Sequence, residues 1–212
     1  GKLVGSIGAA ATAVQYVPEV AKVASHLTVF QRSANYILPR SQQIFTEAEL
    51  AEFQSDPESY RVLRRRIHNE REAGFERTRR QTDAAAEGMR QAREHLESVI
   101  TDPRLREQFT PDYDFGCKRI LRSDDFYPTF NRENVTLVTE ALDRITPKGI
   151  VTRDGVEHEL DVIIFGTGFK SHAFQGDMKV LGRNGLDLGE RWGNAPEAYL
   201  GMTVDGFPNM FI

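Results

Sequence analysis

Two short segments hold residue types whose spacing matters chemically. Gly8-Ala9-Ala10-Ala11-Thr12-Ala13 follows an apolar run, Leu3 to Ile7, and opens a helical stretch. The template for such a turn is G-x-G-x-x-G/A, which brings backbone N–H groups and a helix N-terminus to a pyrophosphate. Gly8 fits the first glycine and Ala13 the last. Ala10 stands where a second glycine would let the backbone approach the phosphates, so its methyl should push them outward. By spacing alone the segment reads equally as a strand-to-helix turn that binds nothing. The second segment ends the next apolar run, Leu27 to Phe30, with Gln31-Arg32-Ser33. An NAD site carries an acid there for the ribose 2′-hydroxyl. A guanidinium beside a hydroxyl suits a 2′-phosphate instead, so a dinucleotide bound here should be NADP(H). The plain alternative for Arg32 is a surface arginine at a strand end.

The elements that must position these groups follow from the pattern. Leu3 to Ile7, a helix from Thr12 to Ala24 and Leu27 to Phe30 form a βαβ unit whose strands should lie parallel. Pro18 inside the helical stretch predicts a kink or a late helix start. From Phe45 to Phe109 the composition is helical. Thr46 is placed to cap a helix with Glu49 answering it, and Met89, Ala92, Leu96, Val99 and Ile100 form one buried stripe. Arg61 to Arg80 holds eight arginines (61, 64, 65, 66, 71, 77, 79, 80) against three glutamates (70, 72, 76). This reads as a solvated helix pair laced with ion pairs; aromatic residues for stacking on bases are nearly absent, which disfavours nucleic acid.

Beyond Pro111 the chain is strand-rich. Asn134 to Val138, Ile150 to Thr152 and a run ending at Leu160 are expected to form a small antiparallel unit, with turns at Pro147 to Gly149 and Asp154-Gly155. Asp161-Val162-Ile163-Ile164-Phe165 is apolar enough for a strand buried in a parallel sheet, and ends in Gly166-Thr167-Gly168-Phe169.

Composition narrows the classes. The 212 residues carry 27 Lys+Arg against 31 Asp+Glu, a formal charge of −4, which gives no global push toward nucleic acid. Recurrent apolar residues exclude disorder as the main state, and no run approaches the roughly 20 residues of a membrane-spanning helix. The single cysteine, Cys117, excludes an internal disulfide framework and a multi-cysteine zinc site, and a packing role is expected for it. His26, His68, His95, His158 and His172 show no paired metal spacing, so no metal is expected, and Trp192 reads as a packing residue. A soluble, cytoplasmic protein is expected.

Several of these segments together resemble the NADPH-binding region of Baeyer–Villiger-type flavin monooxygenases. The resemblance is carried by Gly8 to Gln15, Leu27 to Ser33, Pro111 to Arg119, Asn131 to Val135, Asp161 to Phe169 and Ala198 to Thr203, in the family's order. It implies an α/β fold: a Rossmann-like dinucleotide-binding domain (1–44 and 111–165), a helical insertion (45–110) and a partial return to an FAD-binding domain (166–212). It implies NADP(H) against Gly8, Ala9, Ala10, Ala11, Thr12 and Gln15, with Thr167 and Gly168 at a strand-ending turn. Arg32, Ser33 and Lys118 would hold the 2′-phosphate, and Arg119 would be the catalytic arginine. Gly166 departs from the family's usual Ala-Thr-Gly.

The activity implied is insertion of one oxygen atom from O₂ into a ketone through a flavin C4a-peroxide, with FAD in the complete protein. The alternatives are a heteroatom- or N-hydroxylating flavin monooxygenase, or a non-catalytic NADP(H)-binding interaction module. The family's FAD-binding glycine loop is not in the sequence. The chain therefore reads as a piece of a longer protein, inactive without the remainder of its FAD-binding domain.

Overall fold

The computed structural model describes residues 1–79, 81–169 and 176–212, so Arg80 and His172 lie outside the described residues. The chain divides into two compact units, Gly1–Thr167 and Gly168–Ile212.

The first unit opens with β1 (Leu3–Ile7), α1 (Ala13–Val23) and β2 (His26–Phe30). The strands pair in parallel, Leu3 opposite His26 through Ile7 opposite Phe30, as the βαβ reading requires. Helix α1 runs through Pro18, which is buried within it, and neither starts late nor stops there. Its inner face, Ala13, Val14, Val17 and Ala21, packs on Leu27 and Val29 in the main core.

A short strand β3 (Ile37–Leu38) leads into the helical segment: α2 (Glu47–Ser55), α3 (Pro57–Ala73), α4 (Asp83–Val99) and α5 (Pro103–Phe109). Thr46 and Glu49 form the expected capping box, which satisfies two otherwise free N–H groups. Helix α3 buries no residue and carries the pairs Arg61–Glu58 and Arg66–Glu70, as its charge pattern suggested. Ala92, Leu96 and Ile100 are buried in line with the predicted stripe, while Met89 and Val99 are partly exposed.

Strand β4 (Leu121–Arg122) pairs in parallel with β3 and precedes a short helix α6 (Phe126–Thr129). Phe126, Tyr127 and Phe130 pack edge-on around the buried Phe109 at centroid distances of 4.8–6.0 Å. Burial pushes the Tyr127 phenol well up, so it stays protonated.

The strands that follow correct the sequence expectation. β5 (Val135–Val138) does not join an antiparallel unit; it pairs in parallel with β2, from Leu27–Val135 to Phe30–Val138. The antiparallel unit is β6 (Leu142–Thr146), β7 (Gly149–Thr152) and β8 (Glu157–Glu159). β6 escapes a pattern search because it carries only Leu142 and Ile145 as apolar residues and lies mostly in solvent. β9 (Val162–Phe165) returns to β1, giving a four-stranded parallel sheet in the order β5-β2-β1-β9. β9 is an edge strand and not buried as expected: Val162 is 42% and Phe165 63% exposed.

The second unit holds α7 (Leu188–Trp192) and a β10 (Thr203–Val204)/β11 (Phe207–Phe211) antiparallel pair around Leu188, Trp192, Val204 and Phe207. Trp192 is buried, as its reading anticipated, and its indole N–H donates to the Glu197 carbonyl at 2.8 Å. No described helix is long and apolar enough to cross a membrane.

Candidate functional site

Ligands of open parallel sheets bind beyond the carboxyl ends of the strands. A cavity of about 620 Å³ lies there in the first unit. Its walls come from all four strand ends: Gly166 and Thr167 after β9, Gly8 to Ala10 after β1, Gln31 to Ser33 after β2, and Thr139 to Leu142 after β5. One further hydrogen bond per junction holds these ends in step. Gly166 N–H donates to Ile7 O, Gly8 N–H to Phe30 O, and Gln31 N–H to Val138 O, at 2.8–2.9 Å.

The turn at Gly8 admits no side chain. Its φ is +111°, and a Cβ there would sit 2.5 Å from the Gly166 carbonyl oxygen. Ala10 faces the cavity with its methyl exposed, where the template has glycine. Thr12 makes no side-chain cap on α1; the Val14 N–H donates to the Ala10 carbonyl and those of Gln15 and Tyr16 to the Thr12 carbonyl, at 3.0–3.4 Å. Gln15 turns its amide back to the Ala11 carbonyl at 2.8 Å. Ala11, Thr12 and Gln15 are not part of the cavity wall. Gly8→Ala should therefore destabilise the fold by about 2 kcal/mol. Urea melts of the two chains check this; a loss below about 0.5 kcal/mol would contradict the geometry.

The predicted phosphate residues do meet. Gln31, at the place of the NAD-type acid, is buried and donates its amide to the Gln108 carbonyl at 2.8 Å. Arg32 is exposed at the cavity, without a hydrogen bond or ion pair among the described residues. Lys118 Nζ donates to Ser33 Oγ at 3.0 Å across 85 residues of sequence.

The β3–β4 pairing explains this meeting. Opposing Ile37 to Leu121 and Leu38 to Arg122 brings the segments just upstream, with Ser33 and Lys118, side by side. An aromatic cluster fixes the second segment. Tyr36 packs on Tyr113 at 5.5 Å and Phe115 at 5.0 Å, Tyr36 Oη donates to the Tyr113 carbonyl, and Tyr113 Oη donates to the Ala34 carbonyl. Burial pushes both phenols up, so they remain donors at neutral pH. Lys118 Nζ also sits 4.2 Å over the Tyr113 ring, a cation–π contact that limits where it can swing.

Arg119 is exposed and does not line this cavity. Gly168 belongs to the second unit and Thr167 to the cavity wall. Cys117, expected to pack, is exposed, two residues after the buried Phe115 and just past the Gly116 turn (φ +88°). Asn35, Thr139, Glu140, Ala141, Leu142 and Arg153 complete the lining and were not anticipated. Asn35 donates to the Ala9 carbonyl at 3.3 Å and so braces the turn. The cavity carries three cations (Arg32, Lys118, Arg153) against one carboxylate, Glu140.

No protein-family model matches the chain. It is 38% identical over 211 residues to a Baeyer–Villiger monooxygenase of Pseudomonas aeruginosa, covering 100% of the chain and 40% of that protein. It is 32% identical over 253 residues to a phenazine N-monooxygenase of Lysobacter antibioticus, covering 100% of the chain and 46% of that protein. The solved complex of OTEMO with FAD and NADP superposes with a TM-score of 0.80 at 29% identity, covering 100% of the chain and 46% of OTEMO. The chain spans less than half the length of each of these relatives. Over its whole length, the chain is similar to one part of the Baeyer–Villiger and FAD-binding monooxygenases.

Proposed function

We propose that this chain is the NADP(H)-binding part of a flavin-dependent Baeyer–Villiger monooxygenase. The observation that carries the reading is the Lys118–Ser33 contact beside an unpaired Arg32 at the carboxyl end of β2. Two cations and a hydroxyl from distant segments converge where a 2′-phosphate would lie, and no acid at the end of β2 takes the place of an NAD-type ribose ligand.

The residues fit the cofactor along its length. The glycine turn and the positive end of the α1 dipole would take the pyrophosphate, with Ala10 keeping it farther out than glycine would. Arg32 would bind the 2′-phosphate through two N–H groups, and Ser33 would donate its hydroxyl while Lys118 adds charge. NADP(H) supplies a hydride when bound; the chain's own task is to hold and orient it. FAD would be held by the remainder of the FAD-binding domain. In the whole protein we assign Arg119, next to Lys118 but off the cavity wall, to the reacting oxygen, on the strength of the family motif. Oxidation at nitrogen is the second reading, favoured by the identity to a phenazine N-monooxygenase.

Lys118→Ala tests the phosphate assignment. It should weaken NADPH about ten-fold and leave NADH unchanged, since one exposed charge-assisted contact is lost. Fluorescence titration of both cofactors reads this, and an equal loss for the two would overturn it.

A further inference from the structure

A second cavity, of about 80 Å³, lies inside the first unit. Met89, Ala92 and Leu96 of α4, with Phe109 and Pro111 at the end of α5, give it a mostly apolar wall. Tyr127 of α6 is set into that wall. It is 2% exposed, and its ring packs on Phe109 and His95 at centroid distances of 5.3 and 5.4 Å. Its hydroxyl makes no hydrogen bond among the described residues. Buried polar groups are almost always paired, and a phenol taken out of water without a partner is destabilising. Burial keeps this one protonated, so it remains a donor.

Asn35 is the one residue that lines both this cavity and the larger one. Its Nδ2 donates to the Ala9 carbonyl at 3.3 Å, while its Oδ1 has no partner among the described residues. A donor and an acceptor, both without partners, thus border a space with room for about two waters, at roughly 30 Å³ each. The other hydroxyls on the wall are already engaged. Tyr36 Oη donates to the Tyr113 carbonyl at 2.8 Å and Thr110 Oγ1 to the Arg106 carbonyl at 2.7 Å. An apolar guest would leave the Tyr127 phenol unpaired, whereas water satisfies both groups at once.

We propose that this cavity is a water site in which Tyr127 Oη donates to bound water and that water donates to Asn35 Oδ1. Tyr127 is then a positioning residue: through water it orients the Asn35 amide, and the amide holds the Ala9 carbonyl of the glycine turn. The positioning role rests on the NADP(H) reading of the larger cavity; the water site does not.

Tyr127→Phe keeps the ring and removes the hydroxyl. In thermal melts of the 212-residue chain it should lower Tm by about 2–4 °C, the loss of one buried hydrogen bond. An unchanged or higher Tm would mean that the hydroxyl was unpaired and would overturn the water site. Fluorescence titration reads the positioning role. The variant should weaken NADPH and NADH alike, about three-fold each, because the turn serves the pyrophosphate common to both. Lost packing alone would lower Tm and leave both affinities at wild type, and that result would overturn the role. In an Asn35→Ala background, Tyr127→Phe should cost no further affinity, since the link is already cut; a fully additive loss would contradict a path through Asn35. If the wild-type chain binds neither cofactor, the NADP(H) reading and the positioning role fall together, while the melt still decides the water site.

Discussion

Arg119→Ala, made in the full-length protein, should lower ketone oxidation about a thousand-fold while NADPH-driven flavin reduction stays within about two-fold of wild type. Oxygen insertion puts negative charge on oxygen, and a fixed guanidinium in a site without bulk water stabilises that charge without a proton to lose. Removing one such donor costs on the order of a hundred- to a thousand-fold in rate. Hydride delivery depends instead on how the nicotinamide cofactor is held, which is the task assigned to Lys118 and the cavity. The structure separates the neighbours accordingly: Lys118 lines the cavity and Arg119 does not. Anaerobic stopped-flow reduction and a product assay on the same variant check both halves. Retained ketone oxidation would remove Arg119 from the chemistry, and lost flavin reduction would move it into cofactor binding.

Arg32→Ala should weaken NADPH about a hundred-fold and NADH hardly at all. Two charge-assisted hydrogen bonds to a phosphate are together worth about 2–3 kcal/mol when lost from a partly exposed site. Arg32 makes no compensating contact in the free chain, so its removal should leave stability nearly unchanged. The affinity ratio of the two cofactors isolates the phosphate term, because every other contact is shared. A parallel loss of both would place Arg32 on the ribose or the base.

The parts of this site that are legible in sequence are those built by neighbours in the chain. The strand Leu3–Ile7, the glycine turn and β2 can be read because each is bounded by its own residue pattern, and Thr46 with Glu49 announces a helix start within four residues. What joins distant segments is not written locally. β3 and β4 are two residues each, too short for any periodicity, yet their pairing brings Lys118 to Ser33. The alternation in Val135–Val138 marks a half-buried strand without saying which strand it joins; Leu27 and Val29, buried on β2, supply the partner. Once β5 is placed beside β2, its carboxyl end becomes a cavity wall, and Thr139 to Leu142 and Arg153 enter the site. No residue type among them signals that role by itself.

Thermal unfolding of the 212-residue chain with saturating NADPH, and separately NADH, tests the central claim most directly. A ligand that binds only the folded form stabilises by about 2.7 kcal/mol at a hundred times its Kd. For a chain of this size that is a rise in Tm of about 5–10 °C. The expected result is such a rise with NADPH, a much smaller one with NADH at the same concentration, and loss of the difference in Arg32→Ala. Equal shifts with the two cofactors, or a cooperative melt that neither one moves, would contradict a 2′-phosphate site at Arg32, Ser33 and Lys118.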